Sequence, residues 1–327
     1  FFLVYTCGSF WRDAMVGVAT TVGYALSPGG LLLPYHVGAL AALEYNGRLS
    51  NANPLAGASA GAIACASHGC GLEAVKALEA TIRVSDSCAE VGGARGNLLP
   101  FLRREMEILL PGDAHNRLNE RPSPVGLAYR QIFPSQERIL QTQFESKQDV
   151  MDAVCHSSAF PFFTSNWPFA VARTKKNTEK EGDSSATGLT LPRLVVDGFF
   201  NVPRDRCGCP DFSILDKDPI LTSSSTSSVE NGYEKLPLVG RTVTIAVFPH
   251  EAVGLTASEL EDRISPEGGM EEMANLLRLA TQVSSREELT AVYEAGWADA
   301  ERWCRQEEAR QREEFQKDLI QSRFLLN

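Results

Sequence analysis

Gly57-Ala58-Ser59-Ala60-Gly61 follows a short apolar run, Pro54-Leu55-Ala56, and leads into a helix-forming stretch of small residues, Ala60 to Ser67. A strand-to-helix turn this sharp holds its central residue in a strained backbone conformation, and glycine two residues before and two after leaves room for the neighbouring chain to pass. The serine hydroxyl then projects at a helix N-terminus, where the positive end of the dipole favours developing negative charge. By chance alone, a G-x-S-x-G match in a chain of this length has a probability on the order of 0.1. A serine there can also simply cap the helix, so its surroundings must decide between chemistry and capping.

Those surroundings read as alternating strands and helices. Gly17 to Leu26 has the pattern of a buried strand and Pro34 to Tyr45 that of a helix opened by proline. Strand, helix, strand, helix is the signature of a parallel sheet with helices on its faces, so the expected fold class is α/β. Further helices are expected at Leu72 to Ile82, Leu98 to Leu110 and Lys147 to His156, and strands at Val125 to Phe133, Ile139 to Phe144, Leu194 to Val196 and Thr242 to Phe248. Two polar tracts, 174–188 and 222–234, lack apolar anchors and read as surface insertions or disordered loops. Beyond residue 270, Leu276, Leu277, Leu279, Leu289, Val292, Tyr293, Trp297, Ala300 and Cys304 fall at helical spacing and form a stripe expected to dock on the main domain, followed by a solvated helix of mixed charge from Arg302 to Arg323. The expected organisation is an N-terminal segment 1–16, a main domain 17–250 and a helical extension 251–327. The uncharged start, Phe1 to Trp11, reads as a trimmed terminus.

Charge and cysteine usage exclude several classes of function. Lys and Arg total 31 against 41 acidic residues, a net charge of -10, so no global field favours a polyanion and nucleic acid is not an expected partner. The eight cysteines are scattered, which reads as reduced thiols in an intracellular compartment. Cys207-Gly208-Cys209 is half of a zinc-type ligand set without a second half, and no metal is expected. Ser27, Pro28, Gly29 and Gly30 interrupt the most apolar region, so no segment is expected to span a membrane.

Two further features bear on the serine. Ser27-Pro28-Gly29-Gly30-Leu31 lies at a strand-to-helix turn upstream, where consecutive glycines let several backbone N–H groups point at one spot, as an oxyanion hole requires. Neither G-x-G-x-x-G nor a Walker lysine is present to make this a phosphate loop. Asp197-Gly198 follows the apolar Leu194-Val195-Val196, placing a carboxylate at the carboxyl end of a strand, where it can act as base for the serine or merely form a turn.

The order of glycine-rich loop, Tyr35-His36-Val37-Gly38, Gly57-Ala58-Ser59-Ala60-Gly61-Ala62 and Asp197-Gly198 resembles the patatin-like phospholipases. Ser146-Lys147, Asp152-Ala153 and Ser157-Ser158-Ala159-Phe160-Pro161-Phe162 are similar to the family's helix and loop ahead of the aspartate strand. Leu110-Pro111-Gly112-Asp113-Ala114-His115, and Val243-Thr244-Ile245 ahead of Ile264-Ser265-Pro266, are similar to its eukaryotic acylglycerol-lipase branch, typified by adipose triglyceride lipase. The resemblance implies a three-layer α/β/α fold with a mainly parallel sheet and a nucleophile elbow of Gly57, Ala58, Ala60 and Gly61 around Ser59. It further implies a Ser59–Asp197 dyad, an oxyanion hole from Gly29, Gly30 and Leu31, and no cofactor. The chain departs from the family pattern at Pro28, which has no N–H to donate, and in reading Asp-Gly-Phe at 197–199.

The implied activity is hydrolysis of fatty-acyl esters of glycerolipids, whether triacylglycerol, phospholipid or galactolipid, at a peripheral membrane or lipid-droplet surface. Pro28 motivates an alternative, a catalytically silent lipid-binding or scaffold protein. A Ser-Asp-His triad using His250 is a further alternative, because that histidine follows both other members in chain order. His36, beside the glycine loop, reads as a loop-bracing residue. Ala159 to Phe163 and Phe199-Phe200 read either as the lining of an acyl channel or as core.

Overall fold

The computed structural model describes residues 21–172, 192–201, 208–212, 239–250 and 262–324. The N-terminal segment 1–16, the polar tracts 174–188 and 222–234, and Cys207 lie outside the described residues.

The centre of the molecule is a sheet whose middle stretches, Tyr24 to Leu26, Leu55 to Ala58 and Val125 to Ala128, are buried and free of charged side chains, as a sheet covered on both faces requires. β1 (Thr21–Leu26) pairs in parallel with β2 (Leu55–Ala58) on one side and β7 (Val239–Ile245) on the other. β2 pairs in parallel with β3 (Val125–Phe133), and β7 with the short β8 (Arg263–Ile264). Three strands run antiparallel: β4 (Glu137–Gln141) and β6 (Arg193–Val196) on β3, and β5 (Ala170–Ala172) on β6. The fold is thus α/β with a mainly parallel sheet of eight strands.

The register along β3 positions the site. β4 shares residues 127 and 128 of β3 with β2, and residues 130 and 131 with β6. A strand has only two edges, so β4 takes one, while β2 and β6 meet end to end along the other. β2 ends at Ala58, opposite Ala128; β6, running the other way, ends at Val196, opposite Arg130. The residues that follow, Ser59 and Asp197, are therefore delivered to the same point beside β3.

Helices α1 (Leu33–Tyr45), α2 (Ala60–Gly69), α3 (Ala74–Glu90), α4 (Leu98–Leu109), α5 (Ala114–Asn119) and α6 (Lys147–Ser157) follow within the first half of the chain, and α7 (Met270–Thr281) and α8 (Arg286–Phe324) close it. α1 is buried over nearly its whole length because α8 covers the face it turns away from the sheet. The crossing is close enough that a Cβ on Gly38 would lie 2.1 Å from the Tyr293 carbonyl oxygen, and one on Gly296 2.1 Å from that of Tyr35. Tyr35 donates to Asp299 at 2.7 Å across the contact. Leu276, Leu279, Val292, Ala300 and Cys304 join one core with Leu26, Leu55 and Leu127. Of the expected stripe, Leu277 is instead exposed, pointing away from that core on α7, and residues 311–322 of α8 are exposed.

Several boundaries differ from expectation. α3 begins at Ala74 and runs to Glu90 rather than from Leu72 to Ile82. β4 covers Glu137–Gln141 instead of Ile139 to Phe144, and β7 covers Val239–Ile245 instead of Thr242 to Phe248. In both strands the ladder with the neighbour sets the ends, which apolar runs alone do not mark.

Candidate active site

Ser59 sits at the turn between β2 and α2 with φ 53° and ψ -118°, a conformation that a side-chain-bearing residue adopts only under constraint. The flanking glycines supply the room. A Cβ on Gly57 would lie 2.2 Å from the Gly61 carbonyl oxygen, and one on Gly61 2.6 Å from that of Leu26. The Ser59 side chain makes no capping hydrogen bond to α2, which disposes of the capping role.

A residue from α6 fixes the elbow. The Ser59 N–H donates to Ser157 Oγ at 2.8 Å, and that hydroxyl donates to the Ala128 carbonyl at 2.6 Å. The Ser157 hydroxyl is thus inserted where the β2–β3 ladder would otherwise continue, and it satisfies both orphaned backbone groups. Sequence reasoning placed Ser157 in a family-like segment without a role; a serine on the last turn of an amphipathic helix carries no signal of its own.

Asp197 is fully buried. Its N–H donates to the Ala159 carbonyl at 3.0 Å and its Oδ1 accepts from the Phe199 N–H at 2.7 Å. Gly198 lets the turn press against β2, since a Cβ there would lie 2.4 Å from the Ala128 carbonyl oxygen and 2.8 Å from Ala58 Cβ. Burial pushes the carboxyl pKa up from 3.8 to about 7, against the opposing pull of the Phe199 N–H and the Ser59 hydroxyl. Asp197 Oδ2 has no hydrogen-bond partner of ordinary geometry among the described residues. The serine hydroxyl therefore neighbours the carboxylate without a formed bond, as is common in ligand-free sites.

The glycine loop lies alongside. Gly30 adopts φ +55°, and its Cβ position is taken by the Ala280 carbonyl oxygen of α7 at 2.3 Å, so both the dihedral and the contact require glycine. The N–H groups of Gly29, Gly30 and Leu31 make no backbone hydrogen bond among the described residues. Gly30 and Leu31 line the cavity at Ser59, while Gly29 is turned against Val247. Pro28 is not part of that wall; its ring abuts Gly208. His36 braces the loop as expected: its Nε2 lies 2.7 Å from the Ser27 carbonyl oxygen, and burial lowers its pKa to about 4, so it donates as a neutral ring.

His250 Nδ1 lies 3.4 Å from Ser265 Oγ, and no histidine bonds Asp197 among the described residues. The third member of a triad is therefore missing from this arrangement. Nor does any group of three potential metal ligands occur among the described residues, and Cys209 is a buried thiol facing the Ile245 carbonyl at 3.8 Å.

From Ser59 a narrow apolar slot of about 70 Å³ runs between α2, α3 and α4, walled by Ile63, Leu72, Val84, Leu98, Leu102 and Met106. None of Ala159 to Phe163, nor Phe199 or Phe200, is among the residues that line it. Phe160 instead gathers Phe163, Phe199 and Phe200 at centroid distances of 6.3, 5.9 and 5.4 Å. The reason is geometric: the turn after α6 carries the chain past Ser59 and Asp197 to the surface, where Phe162, Trp167 and Phe199 are exposed.

A sequence model described as patatin-like phospholipase matches residues 24–200, which include Gly30, Leu31, Ser59 and Asp197. The chain belongs to the patatin-like phospholipase family. A curated relative in this family, the Homo sapiens 1-acylglycerol-3-phosphate O-acyltransferase PNPLA3, is 30% identical over 154 residues, covering 43% of this chain and 30% of that protein. The chain thus spans less than a third of that relative's length. Among solved structures, VipD from Legionella pneumophila aligns over 88% of this chain and 67% of that one, with 10% identity and a TM-score of 0.42. β7, β8, α7 and α8 lie beyond the matched residues, yet β7 is a neighbour of β1 and α7 touches the glycine loop.

Proposed function

We propose that this chain is a lipid acyl hydrolase that cleaves fatty-acyl esters of glycerolipids through a Ser59–Asp197 dyad and an acyl-enzyme. The carrying observation is the end-to-end meeting of β2 and β6 on one edge of β3, which brings a strained serine to a buried carboxylate of pKa about 7. Such a carboxylate is matched to accept a proton at neutral pH. In this reading Asp197 takes the Ser59 proton as the oxygen attacks the ester carbonyl, and the amides of Gly30 and Leu31 hold the resulting oxyanion. The carboxyl group then protonates the departing alcohol, and water, activated by the same carboxylate, releases the fatty acid.

The apolar slot supports an acyl chain as the group transferred, because it offers almost no polar partner to anything else. Exposed Phe162, Trp167 and Phe199 support docking at a membrane or droplet surface. No helix among the described residues is long and apolar enough to cross a membrane. The test is fatty-acid release from triacylglycerol, phospholipid and galactolipid emulsions by the wild type, Ser59→Ala and His250→Ala. Release that vanishes only in Ser59→Ala establishes the dyad reading and ranks the substrates. No release by a folded wild type, with lipid still bound, leaves the silent binding protein; loss in His250→Ala restores the triad.

A further inference from the structure

We infer that the Ser158 hydroxyl is a third donor to the substrate oxyanion, beside the amides of Gly30 and Leu31; this rests on the dyad reading above. Its neighbours fix its place. Ser157 Oγ receives the Ser59 N–H at 2.8 Å and the Ala159 carbonyl receives the Asp197 N–H at 3.0 Å. Ser158 is therefore the residue held between the two members of the dyad.

It also lines the same slot as Ser59, Gly30 and Leu31. The residue is 4% exposed, and its Oγ has no hydrogen-bond partner among the described residues. Two other hydroxyls of the slot are spent as donors: Thr81 donates to the Ala77 carbonyl at 2.9 Å, and Thr164 Oγ1 to the Phe160 carbonyl at 3.3 Å. A buried hydroxyl left without a partner costs free energy, so it points to a group that arrives with the ligand. In an apolar slot opening on the nucleophile, the ester carbonyl is the acyl group's own hydrogen-bond acceptor. Phe163, a few residues on, packs with Leu31 in one cluster, so the 158–164 turn folds over the loop side of Ser59.

Pro28 supplies the reason for a hydroxyl here. A loop that contains proline has one amide fewer to offer, and the cavity wall retains those of Gly30 and Leu31. As the Ser59 oxygen bonds to the carbonyl carbon, its proton passes to Asp197 and the carbonyl π pair moves onto oxygen. Ser158 donates to that oxygen and keeps its own proton. When the tetrahedral species collapses, the pair returns, the C–O bond to the alcohol breaks, and Asp197 gives the proton to the leaving oxygen.

The test measures turnover of a soluble short-chain ester, phosphonylation of Ser59 by an alkyl fluorophosphonate, and the melting midpoint, for wild type, Ser158→Ala and Ser158→Thr. Expected for Ser158→Ala is a fall in kcat of about 10²-fold, as for loss of one oxyanion donor, with KM unchanged and slower phosphonylation. The melting midpoint should hold or rise, because the variant removes an unpaired buried group. Ser158→Thr, which keeps a hydroxyl, should recover part of the rate. Unchanged kcat in Ser158→Ala overturns the inference alone, as does a loss of kcat that comes with a raised KM and a lower melting midpoint. A folded wild type that neither turns over nor labels overturns the dyad reading and this inference with it.

Discussion

Asp197→Asn should abolish turnover and stabilise the protein, and the stabilisation should depend on pH in a defined way. The Asp197 carboxyl titrates near 3.8 when unfolded and near 7 in the folded chain, burial being the main cause. Below about pH 4 the group is protonated in both states and its burial carries no charge penalty. As pH rises from 4 to 7 the unfolded chain releases the proton while the folded one retains it, so the unfolded state gains. Above 7 both are ionised and the penalty is constant. Raising the pKa from 3.8 to about 7 corresponds to about 4 kcal/mol at 1.36 kcal/mol per unit. Asparagine keeps the acceptor for the Phe199 N–H and places a donor where the protonated carboxyl has one, so the two side chains are nearly equivalent at low pH. Urea unfolding of wild type and variant between pH 4 and 8.5 should give equal stabilities at the acid end, within about 1 kcal/mol. The variant should be more stable by about 4 kcal/mol at pH 8. Taking the difference between the two proteins removes the titration of every other group. A difference flat in pH, or a wild type more stable than the variant at pH 8, would refute the assignment of a raised pKa to this carboxylate, and with it the argument that it is poised as a base.

Two further outcomes follow from the same geometry. In the proposed mechanism the free protein needs Asp197 ionised, so kcat/KM for a soluble ester should rise about tenfold per pH unit below 7 and level off above it; a pH-rate profile flat between 5 and 7 contradicts this. Ser157→Ala strips the hydroxyl that joins the Ser59 N–H to the Ala128 carbonyl, leaving both unpaired at a cost of about 1–3 kcal/mol. The denaturation midpoint should fall accordingly and turnover with it, since the elbow loses its clamp.

The sequence alone determined the elements whose signal is local. Gly57 announces the elbow because the backbone it lets past, that of Gly61 and Ala62, belongs to the elbow itself, and any chain making that turn meets the same contact. Apolar runs marked β1, β2, the start of β3 and α1 because these stretches are covered on both sides and leave no polar face to confuse the pattern. Ser59, Asp197, Gly30 and Leu31 were all legible as candidates, each at the end of a strand.

The tertiary structure decided what lies between those ends. That Ser59 meets Asp197 depends on β6 running antiparallel along the edge of β3 that β2 leaves free, a pairing across some sixty residues that no local pattern encodes. The apolar slot at Ser59 lies between the facing sides of α2, α3 and α4 and not among the phenylalanines near Asp197, because helix packing rather than proximity in sequence sets which apolar faces leave a gap. Ser157 and Ser158 acquire their positions from where the end of α6 lands against β3. Glycine at position 30 is required partly by α7, whose Ala280 carbonyl takes its Cβ place from some 250 residues away in the chain. Local sterics write themselves into neighbouring residues; long-range contacts are settled only when the layers close on one another.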